Sequence, residues 1–206
     1  MPDNKCRFCG THLKDTVVDL GMSPLSNSYV SDEQLNAREI FYPLHVYVCS
    51  ECFLVQLEEF ESPDAIFNDY AYFSSYSDTW LNHAQQYTEA MHERFAITNQ
   101  KLVVEIASND GYLLQYFHAK GIPILGIEPA VNVAQTAIEK GIPTVIEFFG
   151  SGLAQKLNDD GVKADLLLGN NVLAHVPDIN DFVTGMKILL KNDGVITMEF
   201  PHLLKL

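Results

Sequence analysis

Residues 101–128 read KLVVEIASNDGYLLQYFHAKGIPILGIE. An apolar run, Leu102–Ala107, ends in the polar turn Ser108-Asn109-Asp110-Gly111; a helical pattern follows, and a second apolar run, Ile122–Ile127, closes on the acid Glu128. Strand, turn, helix and strand make the repeating unit of a parallel sheet. Further apolar runs at Thr144–Phe148, Asp165–Leu168 and Gly194–Phe200 continue the alternation. Between them the clearest helical pattern is Asp178–Lys191, with Ile179, Phe182, Val183, Met186, Leu189 and Leu190 on one face. Asp178 is the expected N-cap and Asn192-Asp193-Gly194 the expected stop. The fold class these residues predict is α/β, a doubly wound parallel sheet covered on both faces.

Upstream lie two cysteine pairs of equal spacing, Cys6-Arg-Phe-Cys9-Gly and Cys49-Ser-Glu-Cys52. A two-residue gap lets both thiolates of a knuckle face one metal, and two knuckles complete a tetrahedral site. Structural Zn2+ is therefore expected on Cys6, Cys9, Cys49 and Cys52, with no open position for an activated water. His12 and His45 lie close by and read as packing residues. The expected organisation is a small zinc-ribbon-like domain over 1–65, a linker and pre-core helix over 66–100, and the α/β core over 101–206. Leu44–Val48 reads as a strand leading into the second knuckle. The aromatic stretch Asn68–Ser77 precedes a helix from Asp78 to Phe95, whose apolar positions Trp80, Ala84, Tyr87, Met91 and Phe95 step by three or four.

The 206 residues are 47% apolar and 19% charged, which supports a packed core and excludes a disordered or low-complexity chain. No apolar run approaches a membrane span, and the polar N-terminus lacks a signal peptide's hydrophobic stretch, so a cytoplasmic protein is expected. The 13 Lys+Arg against 27 Asp+Glu, net −14, argue against nucleic acid or an anionic membrane as partner.

In doubly wound sheets ligands bind beyond the carboxyl ends of the strands. Glu128, ending the second strand, is placed to accept from both hydroxyls of a ribose. The preceding turn holds a single glycine, Gly111, beside Asp110, which suits a dinucleotide's pyrophosphate poorly. Carboxylates in that turn suit a ligand with an ammonium and a sulfonium, and S-adenosylmethionine is the expected cofactor. Its expected contacts are Glu105, Ala107, Ser108, Asn109, Asp110, Gly111, Glu128 and Pro129, with Phe148 and Phe149 flanking adenine and Asn170 and Asn171 orienting donor or substrate.

The segment VVEIASNDGYLL resembles the first motif of the sugar C-methyltransferase family, S-adenosylmethionine-dependent enzymes that modify nucleotide-linked deoxysugars. The motif's acidic residue and three glycines correspond to Glu105, Ala107, Asn109 and Gly111. The paired knuckles resemble the family's zinc-binding domain, YAYFSSYSDTWLNHA its pre-core segment, GNNVLAHVPDINDFV its fourth-strand motif and GVITMEFPHLL its fifth strand. The resemblance implies a Rossmann-like methyltransferase core and a nucleotide-sugar substrate. It also implies a chain about twice this length, whose Tyr/Glu/His cluster lies beyond residue 206, so the present chain reads as an N-terminal fragment.

Methylating a carbon beside a keto group requires removal of an α-proton and stabilisation of the enolate. His175, after the fourth strand, and the tyrosines Tyr72 and Tyr76 are the expected substrate-contacting residues. The other six histidines read as surface or packing residues. Two alternatives remain: methyl transfer to oxygen or nitrogen, and a non-catalytic zinc-ribbon interaction protein on a degenerate nucleotide fold.

Overall fold

The computed structural model describes residues 4–67 and 70–205. Met1–Asp3, Asn68, Asp69 and Leu206, which belong to segments read above, lie outside the described residues. The chain divides into two compact units, one running up to Phe67 and including Pro177–Asn180, the other holding the rest.

The first unit is built on an antiparallel sheet, β1 (Asp15–Ser23), β2 (Tyr42–Val48) and β3 (Val55–Leu57), followed by the short helix α1 (Pro63–Phe67). Its apolar centre is small: Cys6, Leu13 and Cys49 are buried, with Tyr47, Cys52 and Leu54 against them. Such a centre is too small to hold a fold without a staple. Each knuckle closes identically. Gly10 N donates to Cys6 O and Phe53 N to Cys49 O, and both residues take positive φ, 75° and 63°.

The second unit begins with helix α2 (Asp78–Arg94), which Ser77 caps by accepting from Trp80 N. The alternation then runs β4 (Val103–Ile106), α3 (Leu114–His118), β5 (Ile124–Ile127), α4 (Val131–Glu139), β6 (Thr144–Val145), α5 (Ser151–Asp159), β7 (Ala164–Asn170), α6 (Ile179–Leu189) and β8 (Leu190–Glu199). All five strands are parallel, in the order β6-β5-β4-β7-β8. The doubly wound sheet is as expected, and its order reverses between β4 and β7. Alternate residues of each strand feed two cores. Val103, Ile124, Leu166 and Leu168 pack with Ala84 of α2, Leu114 and Phe117 of α3 and Ala137 of α4. Val104, Ile106, Ile127 and Leu167 pack with Leu153 and Leu157 of α5 and Phe182, Met186 and Leu189 of α6.

Three boundaries differ from expectation. Helix α6 stops at Leu189 rather than Lys191, because Leu190 already pairs with Ala164. The Asn192-Asp193-Gly194 turn is absorbed as an irregularity before Leu166 meets Val195. Strand β6 is only Thr144–Val145, so Phe148 and Phe149 lie in the loop beyond it. Strand β1 has no counterpart in the expected elements. Among the described residues no helix is long and apolar enough to cross a membrane.

Candidate cofactor and zinc sites

The four cysteine sulfurs lie within 4.8 Å of one another, with Cys6 Sγ 3.5 Å from Cys52 Sγ and Cys9 Sγ 3.5 Å from Cys49 Sγ. Sulfurs each 2.3 Å from one tetrahedral ion stand about 3.8 Å apart, so the set fits zinc. Burial works to raise the Cys6 thiol, but the Cys9 and Phe8 backbone and the Gln56 amide bring it down to about 6. The Leu54 backbone lowers Cys52, yet desolvation and three neighbouring thiols push it up to about 12. Four sulfurs so close cannot all be thiolates without a cation among them. His12 and His45 stand outside the set. His45 lies between Thr16 Oγ1 and the Tyr47 hydroxyl, and His12 Nδ1 is 3.0 Å from Leu13 O.

The second site forms at the carboxyl ends of β4, β5 and β7, where the strand order reverses. The β4 turn is held by backbone geometry rather than by glycines. Ala107, Asn109 and Gly111 all take left-handed φ, 57°, 49° and 75°, so the two residues that replace glycines keep the glycine conformation. A Cβ at Gly111 would lie 2.2 Å from the buried Ile142 Cδ1, so a side chain there would force Ile142 to shift. Glu128 secures the turn from β5. Its Oε2 accepts from Asn109 N and its Oε1 from Ala130 N, both at 2.9 Å. Burial raises the Glu128 carboxyl and these two amides work against it. A carboxylate so held keeps lone pairs for two further donors.

Glu105 is fully buried, and its oxygens meet no hydrogen-bond partner of ordinary geometry among the described residues, although the neighbouring Tyr112 side chain works to lower its carboxyl. Desolvation raises its carboxyl well above the usual range, and the charges of Glu128 and Asp110 add to the shift. Asn170 Nδ2 and Asp110 Oδ1 are likewise enclosed without a partner. Tyr112, buried beside this group, is raised by desolvation and by Glu105.

The other expected contacts are distributed around this turn. The Ser108 hydroxyl is buried without a hydrogen-bond partner among the described residues, against Gly126 of β5, where a Cβ would meet it at 2.5 Å. Asp110 already has a cation, Lys140 Nζ at 3.1 Å from its Oδ2. Asn109 turns its side chain away from the turn, accepting from Ser74 N at 2.9 Å and donating to Tyr72 O at 3.1 Å. Phe148 and Phe149 do not pair. Phe149 packs edge-on against Phe182 in the α5–α6 core, while Phe148 is exposed. Pro129 is half-buried after β5. Asn171 takes a positive φ of 54° and donates its backbone N–H to Glu199 O. His175 is exposed at the end of the turn Leu173–His175.

The segment from Tyr70 to Tyr76 is clipped over this turn. Asn132, in the first turn of α4, bonds both backbone groups of Tyr70, Asn109 bonds Tyr72 and Ser74, and Lys140 donates to the Ser75 hydroxyl. Tyr72 and Tyr76 project outward, Tyr76 being 82% exposed and stacked on Phe73. Sequence reading missed Asn132 and Lys140, whose partners lie 62 and 30 residues away. It also missed the ties between α2 and the end of β8: His83 Nε2 lies 2.7 Å from Glu199 Oε2, and the Tyr87 and Thr197 hydroxyls bond one helical turn further on. The rule that strand ends carry the site would have found Glu199.

Residues 6–67 match a family profile described as "Putative zinc binding domain". Over 205 residues the chain is 33% identical to the C-methyltransferase NovU of Streptomyces niveus, covering all of this chain and 49% of that protein. The chain is a homologue of a C-methyltransferase. The resemblance to a C-methyltransferase with a zinc-binding domain is thereby borne out. The homologue is also 25% identical over 95 residues to a ubiquinone biosynthesis O-methyltransferase of Bartonella quintana, 46% of this chain and 38% of that one. Among solved structures the fold resembles the PH0226 protein of Pyrococcus horikoshii, with TM-score 0.51, 14% identity, and 68% and 66% of the two chains covered. The chain spans about half the length of NovU.

Proposed function

We propose that this homologue binds S-adenosylmethionine at the carboxyl ends of β4, β5 and β7 and serves a C-methyltransferase acting on a nucleotide-linked keto-deoxysugar. One observation carries the cofactor reading: a fully buried acid, Glu105, and a buried amide, Asn170, have no oppositely charged partner among the described residues, beside a turn that Glu128 fastens to the neighbouring strand. A zwitterionic amino-acid group supplies the ammonium and the carboxylate that this pair lacks, and a ribose supplies two hydroxyls to Glu128.

When bound, the sulfonium supplies an electrophilic methyl group. The chain's own residues then have separable tasks. Glu105 and Asn170 bind the amino-acid end, Glu128 the ribose, and the left-handed turn brings backbone close to the ligand. Tyr72 and Tyr76 offer hydroxyls to the sugar, and His175 offers an imidazole beyond β7. The zinc cluster performs no chemistry, because four cysteines leave no coordination position open.

Calorimetric titration of the zinc-loaded chain with S-adenosylhomocysteine tests this reading, with Glu128→Ala and NAD as controls. Saturable binding of the adenosyl ligand, lost in Glu128→Ala and not shared by NAD, is expected. A folded chain that ignores S-adenosylhomocysteine, or prefers NAD, overturns it.

A further inference from the structure

We propose that Asn109 is a positioning residue that couples occupancy of the Glu128 site to the placement of Tyr72 and Tyr76. The inference rests on the cofactor reading given under Proposed function. Asn109 corresponds to a glycine of the family motif, and its conformation, φ 49°, is the one a glycine would hold. What the side chain adds is therefore not turn geometry. It is a pair of hydrogen bonds to another segment.

The residue has two ends. Its main chain donates to Glu128 Oε2 at 2.9 Å. Its side chain accepts from Ser74 N at 2.9 Å and donates to Tyr72 O at 3.1 Å. Ser74 and Asn109 are both buried, so the bond between them is shielded from competing water. Ligand hydroxyls donated to the lone pairs that Glu128 keeps open would fix the carboxylate that holds the Asn109 amide. That restraint is passed through one residue to the backbone that carries Tyr72 and Tyr76.

The other two clips differ in kind. Asn132 holds Tyr70 from α4, and Lys140 holds Ser75 through a long flexible side chain. Neither touches Glu128. Among the three, Asn109 alone is bonded both to the expected ribose ligand and to the segment bearing the tyrosines. Glycine at this position would leave the cofactor turn intact and the segment 72–74 unlatched.

Amide exchange at Ser74, followed residue by residue by NMR with and without S-adenosylhomocysteine, tests the coupling. In the wild-type chain the ligand is expected to slow Ser74 exchange at least about fivefold, the lower bound of ordinary coupling between sites. Asn109→Gly keeps the left-handed backbone; it is expected to bind the ligand and lose that slowing. Asn132→Ala, which removes only the bonds from α4 to Tyr70, is expected to keep it. In a methyl-transfer assay Asn109→Gly is expected to raise KM for a nucleotide-linked keto-sugar more than it changes the dissociation constant of S-adenosylhomocysteine.

Ligand-bound wild type without slowing at Ser74, or full slowing in Asn109→Gly, overturns the coupling. Loss of ligand binding in Asn109→Gly makes Asn109 a cofactor contact, which also overturns it while leaving the cofactor site standing. A wild-type chain that binds no S-adenosylhomocysteine overturns the cofactor reading and this inference together.

Discussion

Lys140 Nζ lies 3.1 Å from Asp110 Oδ2 and 3.0 Å from the Asp110 carbonyl, joining the end of α4 to the turn after β4. The carboxylate is buried and the ammonium about a third exposed. Lys140→Met leaves Asp110 enclosed without its counter-charge, an uncompensated group that costs about 1–3 kcal/mol. Urea denaturation of the zinc-loaded chain measures the loss. Asp110→Asn together with Lys140→Met is expected to restore part of it, since the charge needing a partner is gone.

Glu105→Gln is expected to stabilise the chain at neutral pH and to weaken S-adenosylhomocysteine binding. Burial raises the Glu105 carboxyl in the folded state, so between its ordinary value and the raised one the folded chain binds more protons than the unfolded chain. Stability contributed through Glu105 is therefore complete below the ordinary carboxylate range and declines as pH rises through that window. The variant escapes the decline, a gain in stability at pH 7 that vanishes near pH 4. Thermal melts of both proteins across that range read the difference.

Ligand binding at the same carboxylate is expected to release a proton. A cation beside Glu105 favours its ionised form, so binding drives off the proton that burial retains. Calorimetric enthalpies in buffers of different ionisation heat reveal the release at neutral pH, and Glu105→Gln is expected to abolish it.

Gly111→Ala is expected to cost more than an ordinary surface substitution by several kcal/mol. The new methyl would lie 2.2 Å from buried Ile142 Cδ1, in a backbone conformation that itself disfavours a Cβ by about 1–2 kcal/mol. Pairing it with Ile142→Ala relieves the clash but not the backbone cost. Denaturation midpoints of the two variants separate the contributions.

Removal of zinc is expected to melt the sheet β1–β3, whose buried centre is little more than Cys6, Leu13 and Cys49. Chelator should release one ion per chain, and the amides of Val46–Val48 should lose protection as it leaves. Cys49→Ser is expected to reproduce the effect without chelator.

The sheet was legible because its strands are buried on both faces and separated by helical patterns, so β4, β5 and β7 stand out as apolar runs. Strand β1 was not, since nearly every residue from Asp15 to Ser23 is exposed and no alternation marks it. The cysteine spacing carried the metal site unaided. In the cofactor turn the positions were legible but the directions of the side chains were not. Ser108 and Phe149 turn into packing, and Asp110 and Asn109 find partners far along the chain. Those partners are set by the tertiary fold, and nothing local to Lys140 or Asn132 announces them.

The left-handed residues Ala107, Asn109 and Gly111 carry a consequence for how such chains are recognised. A pattern search that asks for three glycines tests composition, whereas the fold asks only for three dihedral angles. Once Glu128 and the clipped segment hold the backbone, two of the three positions are free to spend their side chains elsewhere. Proteins with the same turn and no glycine signature are therefore to be sought by torsion angles, and the residues standing in for glycine are where their individuality is written.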